Sequence, residues 1–318
     1  MFPAARIGDP ITHDQVATSG LIGPPQAAPN VLIEGLPAAT VADYVTCSGA
    51  ATGGPVHQPA VPTPDPIILG SPTVLIGSRP AARWTPSGDI SACGAPLGDA
   101  KLSPLRTVMI GGGTFPFSVT ILPDGLIQVG DRMLIQGTPA FQAQALADLI
   151  ALAGMRSGRA LLDSIESSNH TVTITDCAAG DDSASDGPNW ADPNLTDGTG
   201  TDAFVQYNTR RTPMYNNGSD WDNPPTVVTL GHELSHASHI TNGNLPGDPT
   251  SGPSVPSDPV SGLPMNRALE ERRTVGAGAN ATYNLPDYSG QPFSENAIRQ
   301  DLGEPLRTSY LDPAIGMW

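Results

Sequence analysis

Short apolar runs closed by glycine recur along the first third of the chain. They read NVLIEG at 30–35, PTVLIG at 72–77 and RTVMIGG at 106–112. Apolar runs of this length, bounded by glycine and proline, are typical of short strands joined by tight turns. The pattern therefore predicts an all-β N-terminal region.

A different pattern follows this first third. It predicts short strands around a Pro-Asp-Gly turn, then helices over 139–153 and 157–167, and then a strand at HTVTIT. Further on, VVTLGHELSHAS has the apolar face of a helix, and RALEERRTVGAG at 267–278 predicts another helix. We predict two domains, a small all-β domain over residues 1–113 and an α+β domain over residues 114–318.

An internal repeat runs through the first domain. The segments FPAARIGDPITH, LPAATVADYVTC and RPAARWTPSGDISAC end at His13, Cys47 and Cys93, and His57 lies between the second and third. Two imidazoles and two thiolates suit a closed tetrahedral zinc site, which would stabilise so small a domain. The alternative is that these are surface histidines and buried cysteines. Because three of the four candidates fall at equivalent repeat positions, we predict one structural zinc ion here.

Composition and charge narrow the possible partners. The 318 residues include 35 glycines and 34 prolines, which favour turns and short strands, and the formal net charge is −16. Most of the negative charge lies after Gly113. Because binding to nucleic acid or to an anionic membrane needs a surplus of lysine and arginine, we expect neither partner.

The cysteine count and the N-terminal sequence bear on the cellular compartment. Three cysteines, spread far apart, do not make a disulfide scaffold. The opening residues MFPAARIGDP lack the basic and apolar pattern of a signal peptide, and no stretch reaches the ~20 apolar residues of a membrane span. We expect synthesis in the cytoplasm without a signal peptide.

The candidate catalytic motif is HELSH within the predicted helix at 227–238. A spacing of four residues puts His232 and His236 on one helix face, where both can bind zinc. Glu233 would serve as the general base that accepts a proton from water. A catalytic zinc needs a third protein ligand, and the next predicted helix offers Glu270 and Glu271. Adjacent carboxylates point about 100° apart, so one can bind the metal while the other steadies a neighbouring ligand.

The first domain resembles PAAR-repeat proteins over nearly all of residues 1–113. The resemblance rests on the PAAR sequences at 3–6 and 80–83, on GSPTVLIG and on the pattern of zinc ligands. It implies a small conical β domain that caps the trimeric VgrG-type spike of a type VI secretion system, with zinc near its apex. This family's zinc is often held by three histidines and one cysteine, whereas this chain offers two of each.

The second domain resembles gluzincins, with HExxH followed by LEERRTVG as in bacterial type III effector metallopeptidases and clostridial neurotoxin light chains. The resemblance implies that the first glutamate of the pair, Glu270, binds zinc and that Glu271 supports it. His239 lies seven residues after His232, but the metzincin pattern is not met, and we predict that His239 takes no part in the site.

A third set of residues follows in FSENAIRQDLGEPLRTSY. Glu295, Arg307 and Tyr310 are similar to the Glu and RxxY of those peptidases, in which Arg and Tyr stabilise the oxyanion and the Glu orients the Arg. A guanidinium and a phenol do lower the energy of a negatively charged tetrahedral intermediate. The alternative is that Arg307 and Tyr310 lie on a solvated helix end and that Glu295 caps a helix. Tyr283 or Tyr288 would then act in place of Tyr310.

The leading hypothesis is a spike-tip effector that is secreted by the type VI apparatus and carries a zinc endopeptidase toxin into target cells. It implies two zinc ions, one catalytic and one structural, a peptide or protein substrate, and an immunity protein in the producing cell. Two alternatives remain open. The second domain could be a zinc amidohydrolase acting on cell-wall peptide, or a binding or adaptor module without catalysis.

Overall fold

The computed structural model describes most of the chain. The described residues are 1–13, 17–23, 30–47, 65–84, 88–92, 94–98, 106–113, 115–177, 184–186, 192–210, 219–246, 265–281 and 284–308. Contacts between Cα atoms divide the chain into two compact units. Unit 1 comprises Met1–Phe117 and Gly137–Gly154, and unit 2 comprises Ser118–Gln136 and Met155–Trp318.

Unit 1 is rich in short antiparallel strands, as its apolar runs predict. Its strands are β1 (Phe2–Pro3), β2 (Pro10–His13), β3 (Ala17–Ile22), β4 (Leu32–Ile33), β5 (Leu36–Pro37), β6 (Tyr44–Cys47), β7 (Asp65–Pro66), β8 (Leu75–Ile76), β9 (Arg79–Pro80) and β10 (Met109–Ile110). One sheet has the strand order β2-β3-β6-β7, and the remaining strands pair as β1-β10, β4-β5 and β8-β9.

The three PAA motifs meet in a ring of backbone hydrogen bonds in the core of unit 1. The N–H of Ala5 donates to the carbonyl of Ala82 at 3.0 Å, Ala82 donates to Ala39 at 2.9 Å, and Ala39 donates to Ala5 at 3.0 Å. All three alanines are fully buried. In so dense a core a longer side chain would have to displace its neighbours, which accounts for alanine at these positions. The ring gives unit 1 an internal pseudo-threefold symmetry.

The apolar run at 106–112 completes the first motif. In every motif the first alanine donates its N–H to the carbonyl of a valine in an apolar run: Ala38 to Val31, Ala81 to Val74 and Ala4 to Val108. For the second and third motifs the run comes immediately before the motif. For the first motif it comes from the other end of the repeat region, where β10 pairs with β1. The repeat is therefore closed by its two ends.

An aspartate accepts a backbone hydrogen bond at the start of each repeat. The pairs are Arg6 with Asp9, Thr40 with Asp43, and Arg83 with Asp89, at 2.8, 2.8 and 2.7 Å between the backbone nitrogen and a carboxylate oxygen. These repeated bonds extend the pseudo-threefold relation from the alanines to the polar groups around them.

The Arg83 side chain is buried in the third repeat. Its Nη2 lies 2.7 Å from Asp89 Oδ1, and both side chains are only 1% exposed. The guanidinium also donates to the carbonyls of Gly70, Gly112 and Gly113. The Arg83 guanidinium therefore holds residues 112–113, where the last apolar run of the repeat ends.

Helix α1 (Pro139–Gly154) belongs to unit 1 by its contacts and confirms the helix predicted over 139–153. Almost all of its residues after the first turn are buried, as expected of a helix that is apolar on all sides. The last residue of the helix, Gly154, lies close to the backbone of Pro72. A Cβ at Gly154 would overlap the Pro72 carbonyl oxygen, which accounts for glycine at this position. The domain boundary at Gly113 stays a prediction from the sequence.

Unit 2 is built on a mixed six-stranded sheet with the order β11-β12-β13-β14-β16-β15. The strands are β11 (Val119–Ile121), β12 (Ile127–Val129), β13 (Met133–Gln136), β14 (Val172–Asp176), β15 (Ala184–Asp186) and β16 (Ala203–Tyr207). Strands β13, β14 and β16 run parallel, while β11, β12 and β15 pair antiparallel with their neighbours. The predicted Pro-Asp-Gly turn joins β11 to β12.

Four α-helices are described in unit 2, and the third of them packs on this sheet. They are α2 (Arg156–Glu166), α3 (Thr226–Thr241), α4 (Met265–Val275) and α5 (Glu295–Leu302), with a short 3-10 helix at Pro193–Leu195. Helix α3 packs on β16 and contacts α2, α4 and α5, so nearly all of its residues are buried. The predicted layout of a β-rich region followed by an α+β region is confirmed. Within the described residues, no helix combines the length and apolarity needed to cross a membrane.

Candidate metal centre

Helix α3 presents the two histidines of the HELSH motif side by side. The helix begins after Pro225, which has extended backbone angles, and it contains no proline that would interrupt it. The imidazoles of His232 and His236 lie with ring centroids 4.9 Å apart and planes at 78°. The packing of α3 between the sheet and the other helices keeps both rings nearly out of solvent.

Glu271 brings a carboxylate to both imidazoles. Its Oε2 lies 3.2 Å from Nε2 of His236 and 3.6 Å from Nε2 of His232. One ligand atom from each of these three residues lies within 4.8 Å of the other two, the one such cluster found in the described part of the chain. The three side chains therefore converge on a volume that a metal ion could occupy.

The opposite nitrogens of the two imidazoles are held by two other carboxylates. His232 Nδ1 lies 2.9 Å from Glu295 Oε2, and His236 Nδ1 lies 3.0 Å from Glu270 Oε1. When Nδ1–H donates to a carboxylate, the Nε2 lone pair is left free and the ring is fixed in orientation. Both histidines are thus oriented for binding a metal through Nε2.

The geometry favours exchanging the predicted roles of Glu270 and Glu271. The resemblance implied Glu270 as the ligand, but Glu270 Oε1 contacts the Nδ1 side of His236, away from the Nε2 atoms that Glu271 faces. Because the two carboxylates leave the helix in different directions, only one of them can reach the shared volume. The other, Glu270, lies where it can orient His236.

His239 belongs to this network, and the prediction that it takes no part was wrong. Its Nδ1 lies 2.6 Å from Glu270 Oε1, and its ring stacks on Phe293 with centroids 6.1 Å apart. Thr274 Oγ1 also donates to Glu270 Oε1 at 3.3 Å. The signal in the sequence was the spacing, because a residue three positions after His236 lies on the same helix face.

Glu295 and Arg307 meet at His232, as the sequence analysis expected of a Glu that orients an Arg. Arg307 Nη1 lies 2.8 Å from Glu295 Oε2, the oxygen that also contacts His232. The other oxygen of Glu295 contacts Arg299, which the sequence analysis did not single out although it lies four residues further along the same helix. The guanidinium carbon of Arg307 lies 5.7 Å from the ring centroid of Trp221.

Side-chain bonds from α5 fix the position of Arg307. Asn296 accepts from the Arg307 N–H at 2.8 Å and donates to the Arg307 carbonyl at 3.1 Å. The helix is capped by Ser294 at its start and by Gly303, with φ of +72°, at its end. The chain therefore turns sharply after α5 and returns along it to the metal centre.

Burial and neighbouring charges give the carboxylates different protonation behaviour. Burial raises the pKa of Glu233 above its ordinary value; His232 and His236 oppose this, and the negative charges of Glu271 and Glu295 reinforce it. For Glu271, burial also acts to raise the pKa, but the imidazoles of His236 and His232 together outweigh it, and the pKa lies well below the usual range. Glu271 is therefore a carboxylate, the form that binds metals, while Glu233 is the group more ready to hold a proton.

The donor set fits a zinc ion. Two imidazole nitrogens and one carboxylate oxygen are the three protein ligands of many catalytic zinc sites, which keep one position open. Four glutamates are buried here, and the contacts described for one of them, Glu271, are the two imidazoles. The four are Glu233, Glu270, Glu271 and Glu295. A bound dication would offset the negative charge that these buried carboxylates bring together.

Several predicted site residues lie outside the described part of the chain. These are His57, Cys93, Tyr283 and Tyr310. His13 and Cys47 end strands β2 and β6 of one sheet, but their side chains also lie outside the described part. The structural zinc site in unit 1 and the role of Tyr310 therefore stay predictions.

Comparisons with known proteins agree with the two-part layout. The family model Peptidase_M91, described as an effector protein, matches residues 130–310, and a model of the PAAR motif matches residues 14–99. A search of the curated proteins found no match. The matched order, a PAAR motif followed by an effector domain of a peptidase family, confirms the resemblance seen in the sequence.

Proposed function

The chain belongs to the M91 peptidase family of effector proteins, and on that basis we propose that it is a type VI secretion effector whose C-terminal domain is a zinc-dependent endopeptidase of the HExxH, gluzincin type. In this proposal residues 114–318 form a zincin-like toxin domain, and residues 1–113 form a conical PAAR tip that carries it. The substrate is a peptide or protein of the target cell.

One observation carries the catalytic part of the proposal. The Nε2 atoms of His232 and His236 face one oxygen of Glu271, while carboxylates hold both Nδ1 atoms. A surface helix that contained HExxH by chance would not bury these groups together or orient both rings. We propose His232, His236 and Glu271 as the catalytic zinc ligands, with Glu270 and Glu295 supporting the two histidines.

The side chains around this centre suit peptide hydrolysis. A bound zinc ion would supply Lewis-acid chemistry, which lowers the pKa of water and polarises a peptide carbonyl. Glu233 accepts a proton from the water whose oxygen attacks the carbonyl carbon, and it passes the proton to the amine nitrogen as the C–N bond breaks. Its raised pKa suits a group that must both take and give a proton.

Arg307 would stabilise the negative charge that develops on the carbonyl oxygen. Arg307 is 3% exposed. Glu295 holds its guanidinium and Asn296 holds its backbone, so little reorganisation is needed during the reaction. Tyr310 lies three residues further on, and we propose it as a second donor to the same oxygen.

The delivery part of the proposal rests on unit 1. Its pseudo-threefold ring of PAA motifs matches the symmetry of a trimeric VgrG-type spike. The hairpin strands and the β10 region expose several large apolar side chains, which a docking surface on the spike would cover: Val31, Leu32, Leu36, Val108 and Met109. We further propose a structural zinc ion held by His13, Cys47, His57 and Cys93, secretion through the type VI apparatus, and a cognate immunity protein.

The catalytic proposal is tested with the full chain, loaded with zinc, and its Glu233→Gln variant. Both are incubated with lysate of a sensitive bacterium, and new peptide N-termini are labelled and identified. We expect wild-type cleavage sites that are weakened by about 10²–10⁴-fold in the variant, because a general base is lost while the ligands remain. Zinc content, measured by mass spectrometry, should be equal. Glu304→Gln, which changes a glutamate outside the site, is the matched control and should cleave as the wild type does.

The same variants separate the alternatives when each is expressed in the periplasm and in the cytoplasm of a sensitive host. Toxicity that needs Glu233 and produces cleaved proteins supports the endopeptidase. Toxicity confined to the periplasm, with released cell-wall peptides and no cleaved proteins, would replace it with an amidohydrolase. Equal toxicity from wild type and Glu233→Gln would mean an adaptor without catalysis.

A further inference from the structure

Arg299 is a buried arginine that the proposed mechanism does not use. Its side chain is 0% exposed, as is that of Glu295, four residues before it on α5. Arg299 Nε and Nη2 lie 2.8 and 2.7 Å from the same carboxylate oxygen, Glu295 Oε1. A buried guanidinium is costly unless it is paired and hydrogen-bonded, so its contacts show which parts of the site it holds.

All the described contacts of the Arg299 guanidinium lead to groups that hold Arg307. Nη1 donates to the carbonyl of Pro305 at 3.0 Å, two residues before Arg307. Nη2 donates at 3.0 Å to the carbonyl of Trp221, whose indole ring lies beside the Arg307 guanidinium. The third partner is Glu295, which contacts Arg307 directly.

The carboxylate of Glu295 connects Arg299 to the other groups of the site. One oxygen of the carboxylate faces Arg299, and the other faces both Arg307 and the Nδ1 of His232. Because Arg299 holds the first oxygen through two nitrogens, the carboxylate cannot rotate without losing both contacts. The second oxygen therefore keeps its place between His232 and Arg307.

We propose that Arg299 is a positioning residue for the hydrolysis proposed above, on which this inference rests. It fixes the carboxylate of Glu295 so that its second oxygen holds both His232 and Arg307 in position. Arg299 does not touch the substrate. Its effect passes through Glu295.

A double-mutant cycle tests this route, using Arg299→Met, Glu295→Gln and the double variant, with Arg299→Lys as the conservative replacement. For each we measure kcat and KM on a peptide from the wild-type cleavage map, zinc affinity by chelator competition, and unfolding by urea. Arg159→Met, whose exposed pair with Asp163 lies on α2, is the control for loss of an arginine.

We expect Arg299→Met to lower kcat by about 10–100-fold with KM within roughly twofold, because an Arg307 that is less well positioned stabilises less of the charge that is present only in the transition state. Zinc affinity should fall by roughly 10-fold, because His232 loses the fixed orientation of its carboxylate. Arg299→Lys keeps the charge and should recover part of both. In the Glu295→Gln background, Arg299→Met should change neither quantity further.

Other outcomes would overturn the inference. Wild-type kcat and zinc affinity in Arg299→Met, or effects that add in full to those of Glu295→Gln, would make Arg299 a purely structural residue. If Arg299→Met does not fold, the double variant decides, since removing both charges leaves neither one buried alone. The zinc measurement needs no substrate, so it tests Arg299 even if the endopeptidase proposal fails.

Discussion

Each of the two units contains a fully buried arginine–carboxylate pair, and the two pairs lead to different partners. In unit 1, both oxygens of Asp89 accept from Arg83, whose remaining donors reach backbone carbonyls. In unit 2, one oxygen of Glu295 accepts from Arg299, while the other contacts Arg307 and His232. The contacts described for the first pair include backbone carbonyls and the ring of Phe2, whereas the second pair connects to the ionisable side chains of Arg307 and His232.

The pair in unit 1 stabilises the fold, whereas the pair in unit 2 also contacts residues of the proposed active site. Breaking either pair leaves a buried charge without compensation, so both should matter for folding. The second pair contacts His232, a proposed ligand of the catalytic zinc, through the second oxygen of Glu295. The contrast therefore predicts that breaking the pair in unit 1 lowers stability and leaves the site at His232 unchanged, whereas breaking the pair in unit 2 changes metal binding and catalysis even where the fold survives.

The largest effect should come from changes to the proposed metal ligands of unit 2. In Glu271→Gln the ligand oxygen that faces both Nε2 atoms loses its charge, and we expect zinc binding at this site to become unmeasurable by chelator competition. In Glu270→Gln the supporting carboxylate of His236 is lost, and affinity should fall by roughly 10–100-fold. Both variants should keep a cooperative unfolding transition.

The zinc affinities of the two variants can be compared directly, because both replace a glutamate by glutamine and the two residues are adjacent. A greater loss in Glu270→Gln than in Glu271→Gln would restore the ligand assignment that the sequence resemblance implied. Equal losses would mean that the two carboxylates share the metal, against the geometry in which each faces a different nitrogen of His236.

The second prediction breaks the pair in unit 1. Arg83→Met leaves Asp89 buried and removes the donors to three carbonyls, which should lower the stability of unit 1 by about 3–5 kcal/mol. Hydrogen exchange of peptides from unit 1 measures this loss locally. Zinc affinity at the His232 site and cleavage per folded molecule should not change.

The control for that loss is an ion pair at the surface. Arg159 and Asp163 are 43% and 52% exposed, and their removal by Arg159→Met should cost only about 0.3–0.5 kcal/mol. If Arg83→Met also weakened zinc binding at His232, the Arg83–Asp89 pair would do more than stabilise unit 1, and the contrast between the two pairs would be wrong.

Local patterns predicted much of the fold. The helices α1 and α3 and the β11–β12 turn follow from apolar spacing, proline positions and the Pro-Asp-Gly sequence. The closure of unit 1 did not follow, because the pairing of β1 with β10 joins residues more than 100 positions apart and no local pattern records it. Strand β15, with the sequence ASD, lacks any apolar alternation and forms by pairing with β16.

For the site, the sequence identified residue types better than their roles. It predicted His232, His236, Glu295 and Arg307 as members of one site, and the structure brings them together. It could not decide between Glu270 and Glu271, since the choice depends on how α4 is rotated against α3. Arg299 and His239 were missed for the same reason: their helical spacing is visible in the sequence, but their partners are set by packing.

A third prediction concerns packing in unit 1, where no charge is involved. The Cβ added by Gly154→Ala would lie 1.3 Å from the Pro72 carbonyl oxygen, so the backbone must move. We expect a loss of about 1–3 kcal/mol, measured by hydrogen exchange in α1, with zinc affinity unchanged. Gly290→Ala, where a Cβ meets nothing within 4 Å, should cost far less. Equal losses would show that backbone propensity, and not the contact with Pro72, controls the effect.

The smallest effect should come from the cap of α5, the helix that carries both Glu295 and Arg299. Ser294 Oγ accepts from the Ala297 N–H at 3.1 Å, and Ser294→Ala should lower the free energy of unfolding by about 1 kcal/mol. Zinc affinity should stay within about twofold of wild type, because the carboxylate of Glu295 keeps its two arginines and a supporting contact is worth roughly 10-fold or more. Ser167→Ala, at the exposed end of α2, is the control. If Ser294→Ala lowered the free energy of zinc binding by more than the free energy of unfolding, the helix cap itself would orient the proposed ligands. The groups that position those ligands would then include an uncharged side chain.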